Sequence, residues 1–438
     1  MLRDNTLRFA LTWVVLPNLP YVVLSIEYCP VRTSVILLYV MIGLTWSIIG
    51  PLAAVPLFLA TAAIDAIAAL SKIFGIPMWE MLGSVGNVVH LHLGSHWPYL
   101  GLGTLAAASA GGTLALAFSG MQARRRHRPV QPILPAMAMA FVAIGADVAA
   151  NRELTYGLKP LGLLSDHVTA LRPDIGGAVA SATGLSGIEA AAGSGRTVLV
   201  VMVEALGQFR DDALNRRLAG VMVDEAISER YEVSTGTVPF NGSTTAGELR
   251  EMCQRDDSYL HFRAGLPEDA SCLPLRLGRQ GYETVALHGF TNQFFDRRTW
   301  YPVIGFQRMV FLEDVDDGRY CGNLFEGHCD DRMLGLVRAE LARPGGPRLV
   351  YWLTLDSHYP VPQPAECGEE RSQSCSMMTK WAEVLAGIRE LALDPGLPPM
   401  DILVVGDHAP PMFKRSERGL FHRDVVPWIA LKAKSATP

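Results

Sequence analysis

Four residues far apart in the chain carry side chains that together could hold a divalent cation beside a nucleophile: Glu204, Thr244, Asp407 and His408. Two carboxylates and an imidazole are metal donors, and a hydroxyl bound beside them would be an activated nucleophile near neutral pH. Glu204 ends an apolar run, TVLVVMV followed by EALG. Asp407 and His408 end a second, ILVVG followed by DHAPP. Runs of this kind predict buried strands, and open α/β sheets bind ligands at the carboxyl ends of their strands. A Glu at such a point must be paired or metal-bound, because isolated burial is expensive. A structural salt bridge at Glu204, and an Asp cap beside a surface His at the second tip, would also satisfy the pattern.

Thr244 lies in the polar turn NGSTTAGELRE, ahead of a helix start with small and acidic residues in its first turn. A hydroxyl there faces backbone N–H groups and the positive end of the helix dipole, which suits a phosphate ester. An ordinary capping threonine fits the segment as well, and Ser243 and Thr245 are alternative hydroxyls. His358, in LTLDSHYPV, could hold a substrate phosphate or protonate a leaving group. Arg297 and Arg298, in LHGFTNQFFDRRTW, could offer a guanidinium fork to an anion, with one of the two an ordinary surface ion pair. His422, in GLFHRD, is a further candidate.

The elements that must position these residues alternate. Strands are predicted at 197–203, 284–287, 309–312, 349–355, 402–405 and 428–431, and helices at 245–254, 331–342 and 377–393. Continuous apolar strands separated by helices indicate a mostly parallel sheet covered on both faces.

The first third of the chain differs. Up to about residue 150 it is dominated by Leu, Ala, Val, Ile and Gly, and five membrane spans are predicted at 9–26, 34–50, 51–70, 97–120 and 132–150. The second and third meet at Gly50–Pro51, which reads as a tight hairpin. The basic cluster at 124–128 and Arg3 and Arg8 fall on one side of such a bundle, and the positive-inside rule makes that side cytoplasmic. Residues 151–196 read as a Gly/Ala/Ser-rich linker, and 197–438 as a catalytic domain outside the cytoplasm.

Between the third and fourth spans, residues 71–96 are too polar to cross and are expected to lie along the outer interface. Their His90, His92 and His96 could suggest a metal site, although interfacial or hydrogen-bonded histidines are the plainer reading. Asp65 falls inside the third span, where a carboxylate is a functional candidate unless water reaches it.

Cys29 stands alone near the membrane, whereas Cys253, Cys272, Cys321, Cys329, Cys367 and Cys375 all fall in the soluble part. An even set of closely spaced cysteines fits an oxidising compartment. The net charge of −5 selects no class of partner, and no basic stripe with interleaved aromatics argues for nucleic acid.

The motifs VVMVEALG, NGSTTAGELREMC, LHGFTNQFFDRRTWY, CGNLFEGHCDDRML, LTLDSHYPV, ECGEERSQSC and LVVGDHAPP, taken in this order, resemble the alkaline-phosphatase/sulfatase superfamily. The resemblance is to its membrane-bound phosphoethanolamine and phosphoglycerol transferases. It implies an α-helical membrane domain followed by an α/β alkaline-phosphatase-like domain. It implies Glu204, Thr244, Asp407 and His408 as metal ligands, Thr244 as the hydroxyl that becomes phosphorylated, and His358, Arg297 and His422 around the substrate phosphate. It also implies the pairs Cys321–Cys329, Cys367–Cys375 and Cys253–Cys272. The imidazole leans towards zinc, with manganese or magnesium as alternatives.

The activity implied is transfer of phosphoethanolamine from a phospholipid, phosphatidylethanolamine, to an envelope glycan or lipid at a bacterial inner membrane, with the catalytic domain in the periplasm. Phosphoglycerol transfer from phosphatidylglycerol, a tethered phosphatase or sulfatase, and a non-catalytic assembly protein are the competing expectations. The sulfatase signature Cys/Ser-x-Pro-x-Arg is absent around Thr244, and the AlaProPro after His408 leaves the acceptor open.

Overall fold

Two hydrophobic patterns build two units. The computed structural model describes residues 2–24, 33–74, 76, 78–92, 94, 97–124, 138, 141–142, 145, 177–189, 195–268, 270–316, 320–362, 367 and 373–434. One unit comprises Met1–Ile73, Pro77–Leu82 and His96–Pro173; the other comprises Phe74–Ile76, Gly83–Ser95 and Asp174–Pro438.

Beyond its polar first nine residues the first unit consists mainly of segments apolar on every side, a pattern that membrane-spanning helices share. Helix α1 (Leu2–Ala10) runs through a π-helical turn (Leu11–Val15) into α2 (Leu16–Leu24). Helices α3 (Thr33–Ile48) and α4 (Pro51–Phe74) follow, then the short α5 (Met78–Gly83) and the long α6 (Trp97–Arg124). Among the described residues three helices are long and apolar enough to cross a membrane, over Thr6–Leu24, Pro51–Ser71 and Leu100–Ser119, and Val35–Ile48 is a shorter apolar helix. The fifth expected span, at 132–150, lies outside the described residues apart from isolated positions, as do Cys29, the basic residues 125–128 and most of the 151–196 linker.

Gly50 adopts φ +107° between α3 and α4, a conformation open to glycine, and reverses the chain there. Trp13, Tyr39, Trp46 and Phe58 form the centre of the bundle, and a Cβ at Gly43 would fall 2.5 Å from the Trp13 ring. Asp65 is buried and accepts a hydrogen bond from Tyr39 Oη at 3.1 Å, so a partner on the neighbouring helix, rather than water, satisfies it.

The second unit is a mixed, mostly parallel sheet. In chain order its strands are β1 (Thr197–Val203), β2 (Tyr231–Pro239), β3 (Glu283–His288), β4 (Arg308–Val310), β7 (Arg348–Leu353), β8 (Met400–Gly406) and β9 (Val425–Ala433), while β5 (Tyr320–Cys321) and β6 (Gly327–His328) form a separate small hairpin. The seven-stranded order is β2-β9-β8-β1-β7-β3-β4. Strands β8, β1, β7, β3 and β4 are mutually parallel, and β9 is antiparallel to both neighbours.

Every residue of β1 is buried. Val198, Val200 and Met202 enter one hydrophobic cluster while Leu199, Val201 and Val203 enter another, as the alternation of a strand requires. The first cluster includes Leu249 and Met252 of helix α7 (Thr244–Cys253). The second includes Met333 and Val337 of α8 (Asp330–Ala342) and Trp381, Leu385 and Ile388 of α9 (Gln373–Leu393). The expected α/β layering is therefore present.

The predicted strands and helices appear with ends shifted by a few residues. The antiparallel β2 had no sequence expectation, because its run YEVSTGTVP is half polar. The three disulfides join Cys253–Cys272, Cys321–Cys329 and Cys367–Cys375.

Candidate metal centre

Parallel pairing brings the strand tips together. Gly406 of β8 lies in register with Val203 of β1, Met202 with Leu353 of β7, and Leu353 with His288 of β3. Asp407, Glu204, Thr354 and His288 therefore fall along one carboxyl edge. Immediately after Glu204 the chain takes a left-handed step at Ala205, φ +54°, a conformation that costs a residue with a Cβ and persists only where its surroundings enforce it. The surroundings do: Ala205 N donates to Asp407 Oδ1 at 2.7 Å and Glu204 N donates to Thr354 Oγ1 at 2.9 Å. Glu204 O accepts from Ser357 Oγ at 2.7 Å and Trp381 Nε1 at 3.2 Å.

Helix α7 delivers the hydroxyl. Ser243 is its N-cap residue, and Ser243 Oγ and Thr245 Oγ1 bond each other at 3.0 Å. Thr244 instead donates to Glu204 Oε2 at 3.3 Å and lies 3.4 Å from His408 Nε2. Arg250, on the same helix, donates to Gly406 O at 2.6 Å and Asp407 O at 3.1 Å while paired with Glu251 at 2.7 Å. The helix can press this closely on the β8 tip because position 247 is glycine: a Cβ there would meet Asp407 Cα and Cβ at 3.0 Å.

The imidazoles are held in one tautomer. His408 Nδ1 is 3.0 Å from Ala409 O and His358 Nδ1 is 2.9 Å from Tyr359 O, so each donates from Nδ1 and presents an Nε2 lone pair. Each Nε2 lies 3.6 Å from Glu204 Oε1, and His408 Nε2 lies 3.3 Å from Asp407 Oδ2. Glu204 Oε1 and Asp407 Oδ2 are buried and accept no hydrogen bond. Ligand atoms of Glu204, Asp407 and His408 all lie within 4.8 Å of one another. Buried carboxylate oxygens facing imidazole lone pairs are an unstable arrangement until a cation joins them, so these residues fit a divalent metal. Burial first, and then the Asp407 charge, hold the Glu204 carboxyl well above the usual range, which a cation would reverse.

Residues 197–418, half of the chain, match the protein-family model described as Sulfatase. The chain belongs to the sulfatase family. Among solved structures, this sulfatase-family chain is similar to the lipoteichoic acid synthase LtaP from Listeria monocytogenes (14% identity, 56% of this chain and 67% of that one, TM-score 0.42). It is similar to the Streptococcus pyogenes phosphoglycerol transferase GacH in complex with sn-glycerol-1-phosphate (16% identity, 58% and 78% of the two chains, TM-score 0.38). A third is the C-terminal periplasmic domain of EcEptC from Escherichia coli in complex with Zn (12% identity, 55% and 73%, TM-score 0.36). No curated protein matches the chain.

Around the sulfatase-family cluster the other candidates separate. Arg297 is buried, and its fork is already engaged: Nε donates to Glu248 Oε2 at 3.2 Å and Nη2 lies 3.2 Å from the same oxygen. The expected open guanidinium fork is therefore closed on a carboxylate of helix α7, although the Arg297 charge still acts on Glu204, His288 and His358. Arg298 forms the ordinary surface pair, at 2.5 Å from Asp314. Burial lowers the His358 pKa to about 3, which favours the neutral imidazole. The His422 side chain makes no hydrogen bond or ion pair with the cluster among the described residues; its backbone N donates to Gln208 O at 2.8 Å.

Three contributors were not singled out from the sequence. His288 ends TVALH just as Glu204 and Asp407 end their runs, and its Nδ1 lies 3.0 Å from Leu353 O. That strand-tip position was the available signal. Glu248 and Asp330 gave none. Glu248 is simply one helical turn beyond Thr244. Asp330 accepts from Leu355 N and Asp356 N, each at 2.9 Å, and so holds the turn that carries Ser357 and His358.

Proposed function

We propose that this chain is a membrane-bound phosphotransferase that moves phosphoethanolamine from phosphatidylethanolamine to an envelope glycan or lipid through a phosphorylated Thr244. The observation that carries the reading is the placement of one hydroxyl: Ser243 and Thr245 bond each other, whereas Thr244 donates to Glu204 Oε2 and lies 3.4 Å from His408 Nε2, beside the orphaned Glu204 Oε1 and Asp407 Oδ2 of the same cluster. Glu204, Asp407 and His408 with Thr244 would hold the metal, zinc before manganese or magnesium on donor chemistry. When bound, the ion would supply Lewis-acid stabilisation of oxyanions on the nucleophile and the phosphoryl group.

The chain's own groups divide the remaining work. The Thr244 oxygen bonds to phosphorus as the bond to the diacylglycerol oxygen breaks, and the departing alcohol carries off one proton. An acceptor hydroxyl or phosphate oxygen then bonds to phosphorus as the Thr244 O–P bond breaks, and Thr244 regains a proton, from the acceptor hydroxyl or, with a phosphate acceptor, from water. Thr244 opens helix α7, so the positive end of the helix dipole would lie beside the phosphoryl group that Thr244 would carry. Arg297, held by Glu248, adds positive charge beside the site.

The cellular setting follows from independent features. Helices of membrane-crossing length keep the enzyme at its insoluble donor. Three disulfides in the second unit favour an oxidising compartment, the periplasm of a bacterial inner-membrane protein.

Mass spectrometry of the full chain purified from membranes tests this. A phosphoethanolamine increment on the peptide containing Thr244, absent in Thr244→Ala, is the expected result. A phosphoglycerol increment would identify phosphatidylglycerol as the donor instead. Release of free phosphate or sulfate without lipid consumption would show a hydrolase. An unmodified Thr244 together with unchanged activity in Thr244→Ala would sink the nucleophile assignment.

A further inference from the structure

The loop between the helices α4 and α6 does not group with them. Residues Gly83–Ser95 belong to the second unit, where the 3-10 turn Val85–His90 is docked on the catalytic fold. Its inward contacts are specific. Ser84 Oγ and Tyr259 Oη lie 2.8 Å apart, and Leu91 packs on the main hydrophobic cluster. His92 N donates to Leu324 O at 3.0 Å, and His92 Nδ1 lies 2.7 Å from Glu326 Oε2. Its outward side is apolar: Val85, Val88 and Val89 are 56%, 47% and 81% exposed. The turn, Val-Gly-Asn-Val-Val-His, contains no Lys, Arg, Asp or Glu.

We propose that Val85, Val88 and Val89 form a bilayer-contact surface of the catalytic unit, seated in the interfacial zone of a phospholipid membrane. Chain length selects this occupant. Helix α6 begins at Trp97 and contains a stretch of membrane-crossing length. The chain from His90 to Trp97 spans at most about 25 Å even when fully extended. A cluster of exposed valines tethered so closely to a membrane-crossing segment finds apolar surroundings in the acyl–headgroup boundary, the environment that binds short apolar segments lying on a membrane.

The same contacts link this surface to the reaction site. Leu324 and Glu326, which hold His92, flank Phe325. The Phe325 ring lies on His358 with centroids 3.5 Å apart, and it packs edge-on against Phe290 and Phe294. The Cys321–Cys329 disulfide and the pairing of β5 with β6 stiffen the loop that carries it. Seating of the turn in the bilayer therefore supports the wall of the site at which a lipid headgroup arrives. This second consequence rests on the lipid-donor reading given above; the membrane contact itself does not.

The experiment uses the full chain reconstituted in nanodiscs of phosphatidylethanolamine and phosphatidylglycerol. Val89→Cys is made in a Cys29→Ser background and labelled with an environment-sensitive fluorophore, the six other cysteines being in disulfides. Arg216→Cys is the control: it is exposed, on a helix packed against the opposite face of the sheet. Spin-labelled lipids are expected to quench the Val89 label at least about twofold more than the Arg216 label. Equal quenching at the two positions overturns the membrane contact.

A second variant, Val88→Asp with Val89→Asp, tests the link to the site. It is expected to raise KM for the lipid donor at least about fivefold, with hydrolysis of soluble bis(p-nitrophenyl) phosphate unchanged, because only presentation of the donor is altered. Equal loss on both substrates, or no loss on either, overturns the link. Failure of every lipid to act as donor would overturn the lipid-donor reading and the link together, while the quenching result would still decide the membrane contact.

Discussion

Glu248, on helix α7, and Arg297 form a buried ion pair. Arg297 Nε and Nη2 both lie 3.2 Å from Glu248 Oε2, and Glu248 Oε1 accepts from Tyr351 Oη at 3.1 Å and also from Tyr301 Oη. Glu248 stands one turn after Thr244 on helix α7, so the helix that presents the hydroxyl also anchors the nearby cation.

Removing the Glu248 charge leaves Arg297 buried and uncompensated, which costs about 3–5 kcal/mol. Glu248→Gln is therefore expected to lower the thermal midpoint and the activity together. Glu248→Gln combined with Arg297→Gln should cost less than the sum of the two single changes. An additive double-mutant cycle would show that the pair does not act as a unit.

Gly247→Ala is the converse case. In a helix interior this change ordinarily stabilises by up to about 1 kcal/mol. Here the new Cβ would stand 3.0 Å from Asp407 Cα and Cβ, so helix α7 or the β8 tip must yield by a few tenths of an ångström. The expected outcome is a folded protein with metal affinity about 10–100-fold weaker, the scale of a disturbed support for a metal ligand. Calorimetric titration of zinc and manganese into the metal-free protein measures it, and unchanged affinity would refute the close-contact argument.

Metal should stabilise the folded state. With free metal at about 100 times Kd the gain is about 2.7 kcal/mol, seen as a thermal midpoint that falls on chelation and recovers on readdition. Glu204→Gln should abolish this metal-dependent shift. A shift of wild-type size in Glu204→Gln would mean that the ion binds elsewhere.

Asp356 gives a dependence on pH. Burial pushes its carboxyl pKa up to about 6, and Oδ1 is buried without a hydrogen bond. An acid whose pKa rises on folding favours the folded state in its protonated form. Its contribution is complete below the ordinary value near 4 and is lost as pH rises through about 6. Asp356→Asn should therefore have a thermal midpoint close to wild type at pH 4 and a higher one at pH 7, the gain corresponding to at most about 3 kcal/mol of stability. A difference independent of pH would contradict the buried-carboxylate account. Asp330, raised by its own burial and then by the Asp356 charge, titrates in the same direction and is kept in both proteins.

Particular residues show what was legible in the sequence alone. The runs TVLVVMV and ILVVG are apolar throughout because their strands are covered on both faces, so they announced the sheet, and the polar residue ending each run marked Glu204 and Asp407. The motif order around Thr244 and the even cysteine set were equally local signals. Strand β2 was hidden because an edge strand buries little and need not be apolar.

Tertiary structure alone decided which hydroxyl faces the carboxylates, since Ser243, Thr244 and Thr245 are chemically equivalent until helix α7 is set against the β8 tip. It also decided that Arg297 points at Glu248, that burial lowers the His358 pKa, and that the turn at 85–90 rests on the second unit. Orientation, desolvation and long-range pairing depend on distances between residues remote in the chain, and no local pattern encodes those distances.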